Sequence, residues 1–425
     1  MAEPRPSIGN LLPADYVNLL DGLEQALGVK VYLYGGWVLS ALLSKPYFGD
    51  IDIVTELPLS DLSDALASLG VKTGTRLNDI LRIRLADGNF IDANSLYFRR
   101  KKLSLKAFLS RKTFSVNACA IDIGTGKYTF TEQCERDILE RNFRVNPNAE
   151  MEGQRPLSVL RTWHEMKCHY GLEFVATNGF EEQYFETLDK NWPTNQIGTG
   201  STEQCLKSTL EPFLPKQFDK YLTKGAVRSI ILNSFTVWDD VDVIVKCDRR
   251  EIVRHLQSFN AEFSLNHYGN PKISLPVGQF VDVIPIGKNG NLAETLESFF
   301  HESDRLIWDW QTEHIEDPVS VRDNLSKKVI TFPKPLFLSL AEEDIAYFAL
   351  KSVYLIVRHD FEHDSQTMRH INSPQAFTPH HRRLCVSMVK ELICTQPKAL
   401  LKNRIYRLDA GIRSSATSLF LSYLQ

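Results

Sequence analysis

Asp50, Asp52 and Asp92 carry the clearest chemical potential in this 425-residue chain, in "FGDIDIV" and "NFIDANSL". On a β-strand, positions i and i+2 share a face, so Asp50 and Asp52 project together while Ile51 and Ile53 turn to the core. Two carboxylates on one face repel each other, by roughly 1 kcal/mol at ~4 Å in water and by more when partly buried, and a divalent cation between them removes the repulsion. Oxygen ligands gathered without His or Cys suit Mg²⁺ or Mn²⁺, which keep water and substrate phosphates in their remaining positions. In a two-metal site such a triad orients an attacking hydroxyl and neutralises a leaving pyrophosphate. Upstream, Gly35-Gly36 in "LYGGWVLS" separates a strand from a helix. Without a Cβ the backbone there can approach a triphosphate, and helix N–H groups face the anion.

The elements that must position these residues follow from periodicity. "KVYLYGG" reads as a strand, "WVLSALL" as a helix, "DIDIVTE" as a strand and "LSDLSDALASLG" as an amphipathic helix stopped by Gly70. "ILRIRLADGNFIDANSL" reads as a hairpin turning at Asp87-Gly88, which sets Asp92 on a strand beside "DIDIV". The pattern recurs. At a shift of 190, Asp50, Asp52, Leu66, Ser68, Ile83, Leu85, Gly88, Phe90 and Asp92 fall on Asp240, Asp242, Leu256, Ser258, Ile273, Leu275, Gly278, Phe280 and Asp282. At a shift of 189 "VYLYGGWVLSALL" lies on "KYLTKGAVRSIIL", with Lys224 at the place of Gly35, and at 187 the apolar stripe of 157–174 resembles that of 344–361. The expected fold class is therefore α/β (α+β), in two copies: residues 1–195, then 205–375 beyond the Pro-, Gly- and Ser-bearing linker "NWPTNQIGTGSTEQ", with a helical tail over 376–425.

Gly-Gly, then Asp-x-Asp, then a third carboxylate on a hairpin strand resembles the polymerase-beta-like nucleotidyltransferase superfamily. More narrowly, residues 30–175 are similar to the head and neck of the tRNA nucleotidyltransferase/poly(A) polymerase family. "YGGWVLSALL" resembles its "GGxVRDxLLG", with Leu39 and Ser40 for Arg-Asp; "SRKTFSVNACAID" resembles "RRDFTINALA", keeping Arg111, Phe114, Asn117 and Ala118, with Lys112 and Thr113 for the second Arg and the Asp. "RPLSVLRTWHEMKCHYGLEF" resembles the neck and keeps Arg161, but Gln154, Arg155 and Ser158 stand where the family reads the base. The resemblance implies two tandem nucleotidyltransferase-type mixed-sheet heads with helical necks. Asp50, Asp52 and Asp92 would coordinate Mg²⁺, Gly35, Gly36, Arg111 and Asn117 would hold the triphosphate and sugar of an NTP, and Arg161 would support the nucleotide pocket. It also implies template-independent transfer of NMP to an RNA 3′ end, a tRNA among the acceptors. Asp240, Asp242 and Asp282 mark a second site that is either degenerate or working.

Composition bounds the alternatives. A net charge of −3 gives no chain-wide field for nucleic acid, so RNA contact falls to local patches such as "FRRKKLSLK" (98–106) and the tail "LLKNRIYRLDAGIR" with Tyr406. Near-neutrality also fits NMP transfer to a protein or small-molecule hydroxyl, and a non-catalytic binding protein is the rival of another class. Seven scattered cysteines without a CxxC pair read as reduced thiols, and the lack of a signal pattern or long apolar run makes the expected setting cytoplasmic, without membrane. "RHDFEHD" (358–364) reads as a polar helix end rather than a metal site, and His380-His381-Arg382-Arg383 as loop surface.

Overall fold

In β2 (Ile51–Thr55), Ile51 and Ile53 are buried and Asp52 is half-buried, as alternation leads one to expect, while Val54, on the Asp52 face, is buried too. The computed structural model describes residues 12, 14–45, 51–68, 73–76, 80–84, 90–98, 101–149, 156–177, 181, 184–185, 202–232, 240–266, 269–275, 279–299, 301–317, 325, 327–330, 342–409 and 415–424. With β1 (Val31–Tyr34), β3 (Thr73–Arg76), β4 (Ile80–Arg84), β5 (Phe90–Ser95), β6 (Cys119–Asp122) and β7 (Tyr128–Phe130), β2 forms a sheet in the order β3-β4-β5-β2-β1-β6-β7. All neighbours are antiparallel except β2 and β5, which run parallel. A parallel pair needs a crossover, and α1 (Leu59–Ser68), burying Leu62 and Leu66, begins it. The hairpin of β4 and β5 is present; its Asp87-Gly88 turn and the Gly70 stop lie outside the described residues.

A second sheet repeats this plan. Its strands are β8 (Lys220–Thr223), β9 (Val241–Val245), β10 (Phe263–Leu265), β11 (Pro271–Ser274), β12 (Phe280–Pro285), β13 (Ile307–Asp309) and β14 (Ile315–Glu316). They are ordered β10-β11-β12-β9-β8-β13-β14, again with one parallel pair, β9 with β12. The fold is α/β, with two mixed sheets of the same order following one another along the chain. The necks match too. Asn142–Phe143 pairs in parallel with Glu173–Phe174, and Val329–Ile330 with Glu362–His363, so the first strand of each pair recurs at the shift of 187.

The compact units are drawn differently from 1–195, 205–375 and 376–425. The first comprises Met1–Gln154, Trp163–Glu182 and Phe377–Lys390; the second comprises Arg155–Thr162, Gln183–Ala376 and Glu391–Gln425. The tail is thus divided between the units instead of forming a module of its own. Its helices are Pro379–Thr395, Lys398–Leu408 and Ala416–Leu424. His380–Arg383, expected in a loop, are helical: Pro379 suits the first helical position, and Thr378 and His381 bond to each other across the start. Tyr406 is exposed while Leu401, Ile405 and Leu408 are buried, as expected of a surface helix. Among the described residues no group of three or more His, Cys, Asp or Glu is placed to hold a metal, which includes "RHDFEHD". No helix among them is long and apolar enough to cross a membrane.

One buried ion pair ties the helix Glu132–Glu140 to the turn that carries Asn117. Asp137, fully buried, accepts from Ser115 Oγ, from Gln133 Nε2 at 2.8 Å and from the Arg144 guanidinium at 2.7 Å. Ser115 opens the 3₁₀ turn Ser115–Asn117. Removing one partner of a buried pair strands the other's charge, so Asp137→Ala should cost about 3–5 kcal/mol in urea unfolding.

Candidate active site

The strand ends decide which side chains meet. Antiparallel pairing of β1 with β2 sets Tyr34 opposite Asp52, and pairing with β6 sets Tyr34 opposite Ala120. Parallel pairing of β2 with β5 makes Asp52 and Asp92 direct partners, so the two carboxylates share a face and an end of the sheet. Gly35 follows Tyr34 at that end, and the Ser115–Asn117 turn leads into β6 there. Gly35 has φ 75° and ψ −142°, a conformation that side chains avoid, and a Cβ on it would stand 3.0 Å from Asp52 Oδ2. Glycine therefore lets the backbone lie directly against the carboxylate. The helix that follows, Gly36–Leu42, has only seven residues, so close approach rather than a helix dipole is what this turn offers a phosphate.

Cations complete the surroundings. Arg82, opposite Asp92 in the β4–β5 ladder, grips it in a two-pronged ion pair, with Nε to Oδ1 and the second nitrogen to Oδ2 both at 2.7 Å. Asp92 is 3% exposed, so this pair fixes its rotamer and offsets its charge. The Lys112 ammonium lies 4.1 Å from the centre of the Tyr34 ring and 4.2 Å from that of Phe108. Burial lowers the Lys112 pKa to about 8, with Asp52 pulling it up and Arg111 pushing it down. Burial raises the Tyr34 hydroxyl well above its ordinary value, and the Asp52 and Asp92 carboxylates add to the shift. That hydroxyl accepts from Asn94 Nδ2 at 2.7 Å. The Arg111 guanidinium stacks 3.4 Å from the centre of Phe98, and Asn117 Oδ1 is buried without a hydrogen-bond partner among the described residues.

These residues suit a hard divalent ion. Two carboxylates in register supply oxygens, and Gly35 sets no side chain of its own against Asp52. Of the expected residues, the sheet end gathers Gly35, Gly36, Asp52, Asp92 and Asn117, with Arg111 beside Lys112. Asp50 lies outside the described residues. Arg161 stands on the helix Pro156–His164, in the stretch belonging to the second unit.

The second sheet repeats the register with different company. Asp242 and Asp282 are direct partners, and Asp240 is exposed just before β9. Lys224, at the place of Gly35, keeps a positive φ of 55° and sets its ammonium 2.8 Å from Asp242 Oδ1. Burial raises the pKa of Asp242, which Lys224 only partly reverses; for Lys224, burial opposes the charge, but Asp242 outweighs it and the pKa is raised. Lys272, opposite Asp282, lies 3.2 Å from its Oδ2, while Asn266 Nδ2 donates to Oδ1 at 3.1 Å. Arg228 pairs with Asp304 in the same unit. Sequence reasoning passed over Arg82 and Lys272. The signal was there: both precede their aspartate by ten residues, and both are cationic at the shift of 190.

Solved structures similar to this chain include a CCA-adding enzyme with CTP, at 14% identity over 49% of this chain and 51% of that one, TM-score 0.37. The Bacillus stearothermophilus CCA-adding enzyme in complex with CTP matches at 15% identity over 51% and 56%, TM-score 0.37. The Thermotoga maritima CCA-adding enzyme complexed with tRNA matches at 15% over 99% and 82%, TM-score 0.36. The chain thus spans about half the length of the first two. No protein-family model and no curated protein matches it.

Two outcomes follow from the geometry. Gly35→Ala should lose about 1–3 kcal/mol in chemical unfolding, since a side chain is forced into a glycine conformation against Asp52. The second concerns pH: folded Lys112 gives up its proton near pH 8, whereas an unfolded lysine holds it to 10.5, so its contribution to stability rises with pH across that window. Unfolding of wild type and Lys112→Met at several pH values should show the difference moving toward wild type as pH rises.

Proposed function

We propose that this chain is a Mg²⁺-dependent, template-independent nucleotidyltransferase, whose first sheet carries transfer of a nucleoside monophosphate from an NTP to an RNA 3′ end, a tRNA-like end among its acceptors. The observation that carries the reading is the register of Asp52 with Asp92 beside the bare backbone of Gly35. In the reaction the 3′-hydroxyl oxygen bonds to the α-phosphorus, the bond from that phosphorus to the pyrophosphate oxygen breaks, and the hydroxyl proton is lost to solvent. Asp50, Asp52 and Asp92 would hold Mg²⁺, or Mn²⁺, whose charge favours the deprotonated hydroxyl and the departing pyrophosphate.

The chain's own residues do the positioning. Arg82 holds Asp92 in one orientation through its two-pronged ion pair. The Gly35-Gly36 turn gives the triphosphate close access to backbone N–H groups, and Arg111 with Lys112 supplies charge-assisted contacts to its oxygens. Phe98 holds the Arg111 guanidinium flat, which limits the freedom lost on binding. Asn117 offers its buried, unpartnered Oδ1 to a donor such as a sugar hydroxyl. Arg161 belongs to the reading as a neck contact to the nucleotide, while "FRRKKLSLK" and the exposed Tyr406 offer charge and stacking to RNA. A cytoplasmic setting goes with these substrates and with the free cysteines.

The net charge of −3 favours a second reading, NMP transfer to a protein or small-molecule hydroxyl. One assay separates the two: each α-labelled NTP with Mg²⁺, total RNA and soluble protein. Labelled RNA is expected with wild type, with loss of label in Asp52→Asn and a decrease of about 10–100-fold in Arg82→Ala, whose role is to hold a ligand. Label in protein instead would replace the RNA reading with the second, and no label with any NTP would overturn both.

A further inference from the structure

We infer that the second unit has exchanged the divalent ion for an internal ammonium, that of Lys224, so that Asp242 and Asp282 bind no metal. The inference rests on the metal reading of the first unit, from which the second is the departure. Three of the four oxygens of this carboxylate pair are engaged: Asp242 Oδ1 by Lys224 at 2.8 Å, Asp282 Oδ2 by Lys272 at 3.2 Å and Asp282 Oδ1 by Asn266 at 3.1 Å. Two carboxylates face two ammoniums, so the pair is neutral without an ion. In the first unit Arg82 matches Lys272, but Gly35 stands where Lys224 does, so the turn there sets no ammonium on Asp52.

The competition is direct. A divalent ion and a lysine ammonium use the same carboxylate lone pairs, and an ion entering at Asp242 would meet a like charge within contact distance. Lys224 cannot easily withdraw, because its ammonium also lies over the Phe299 ring, 5.0 Å from its centre. Its φ of 55° is a conformation that glycine adopts freely and lysine seldom does, and it has the same sign as that of Gly35. Asp240, exposed before β9, supplies negative charge nearby.

The test uses the full chain and Mn²⁺, followed by the paramagnetic signal of the free ion. With the first site silenced by Asp52→Asn, no tight Mn²⁺ uptake is expected. Adding Lys224→Gly, a residue suited to that φ, should create one site per chain, and adding Asp242→Asn should abolish it. Uptake by the Asp52→Asn chain that disappears with Asp242→Asn would overturn the inference. So would a folded Lys224→Gly chain that gains no ion, since Lys224 would then not be what excludes it. Should Lys224→Gly lose its circular dichroism, Lys224→Ala gives the same readout. Wild type decides the other question separately: if it takes up no Mn²⁺, the reading of the first unit fails, while gain of a site through Lys224→Gly still stands or falls alone.

Discussion

Everything at the proposed site depends on one constraint, the repulsion between two carboxylates that parallel strand pairing sets side by side. Asp52 against Asp92, and Asp242 against Asp282, are direct partners on adjacent strands. The sheet cannot separate them, because sliding β5 along β2 by one residue would send every buried side chain of β5 to the other face. Ile91 and Ala93 are buried on the opposite face and hold that register. The charge must therefore be met locally, by a cation supplied from the neighbouring strand, the preceding turn or solution.

The two sheets meet it in part alike and in part differently. Both draw one cation from the strand next to the third aspartate, Arg82 for Asp92 and Lys272 for Asp282. They part at the turn before the helix. Gly35 brings only backbone to Asp52, whereas Lys224 brings an ammonium to Asp242 with the same sign of φ. A change of one residue type at one turn thus changes what that turn sets against the aspartate, while the sheet order around it is unchanged.

Alternation and repetition made much of this legible. "IDIV" and "VDVIV" predict strands with aspartates on one face, the hairpin predicts that Asp92 joins β2, and the shift of 190 predicts the second sheet. These are local patterns, and local patterns survive translation into structure. The contact of Lys112 with Tyr34 was not legible, because it joins segments some eighty residues apart that only the fold brings together. The division of the helix Pro156–His164 between two compact units likewise comes from long-range packing and has no signature in its sequence. At Pro379 the reverse holds. Thr378-Pro379 is a helix-start pattern, but the histidines and arginines after it suggested a polar loop.

The most direct measurement of the central claim is anomalous diffraction from crystals grown with Mn²⁺ and a non-hydrolysable NTP. The account predicts an anomalous peak at Asp52 and Asp92 with the triphosphate against Gly35-Gly36, and none at Asp242. A chain that carries the nucleotide elsewhere, or a peak absent from Asp52 under saturating Mn²⁺, would contradict it.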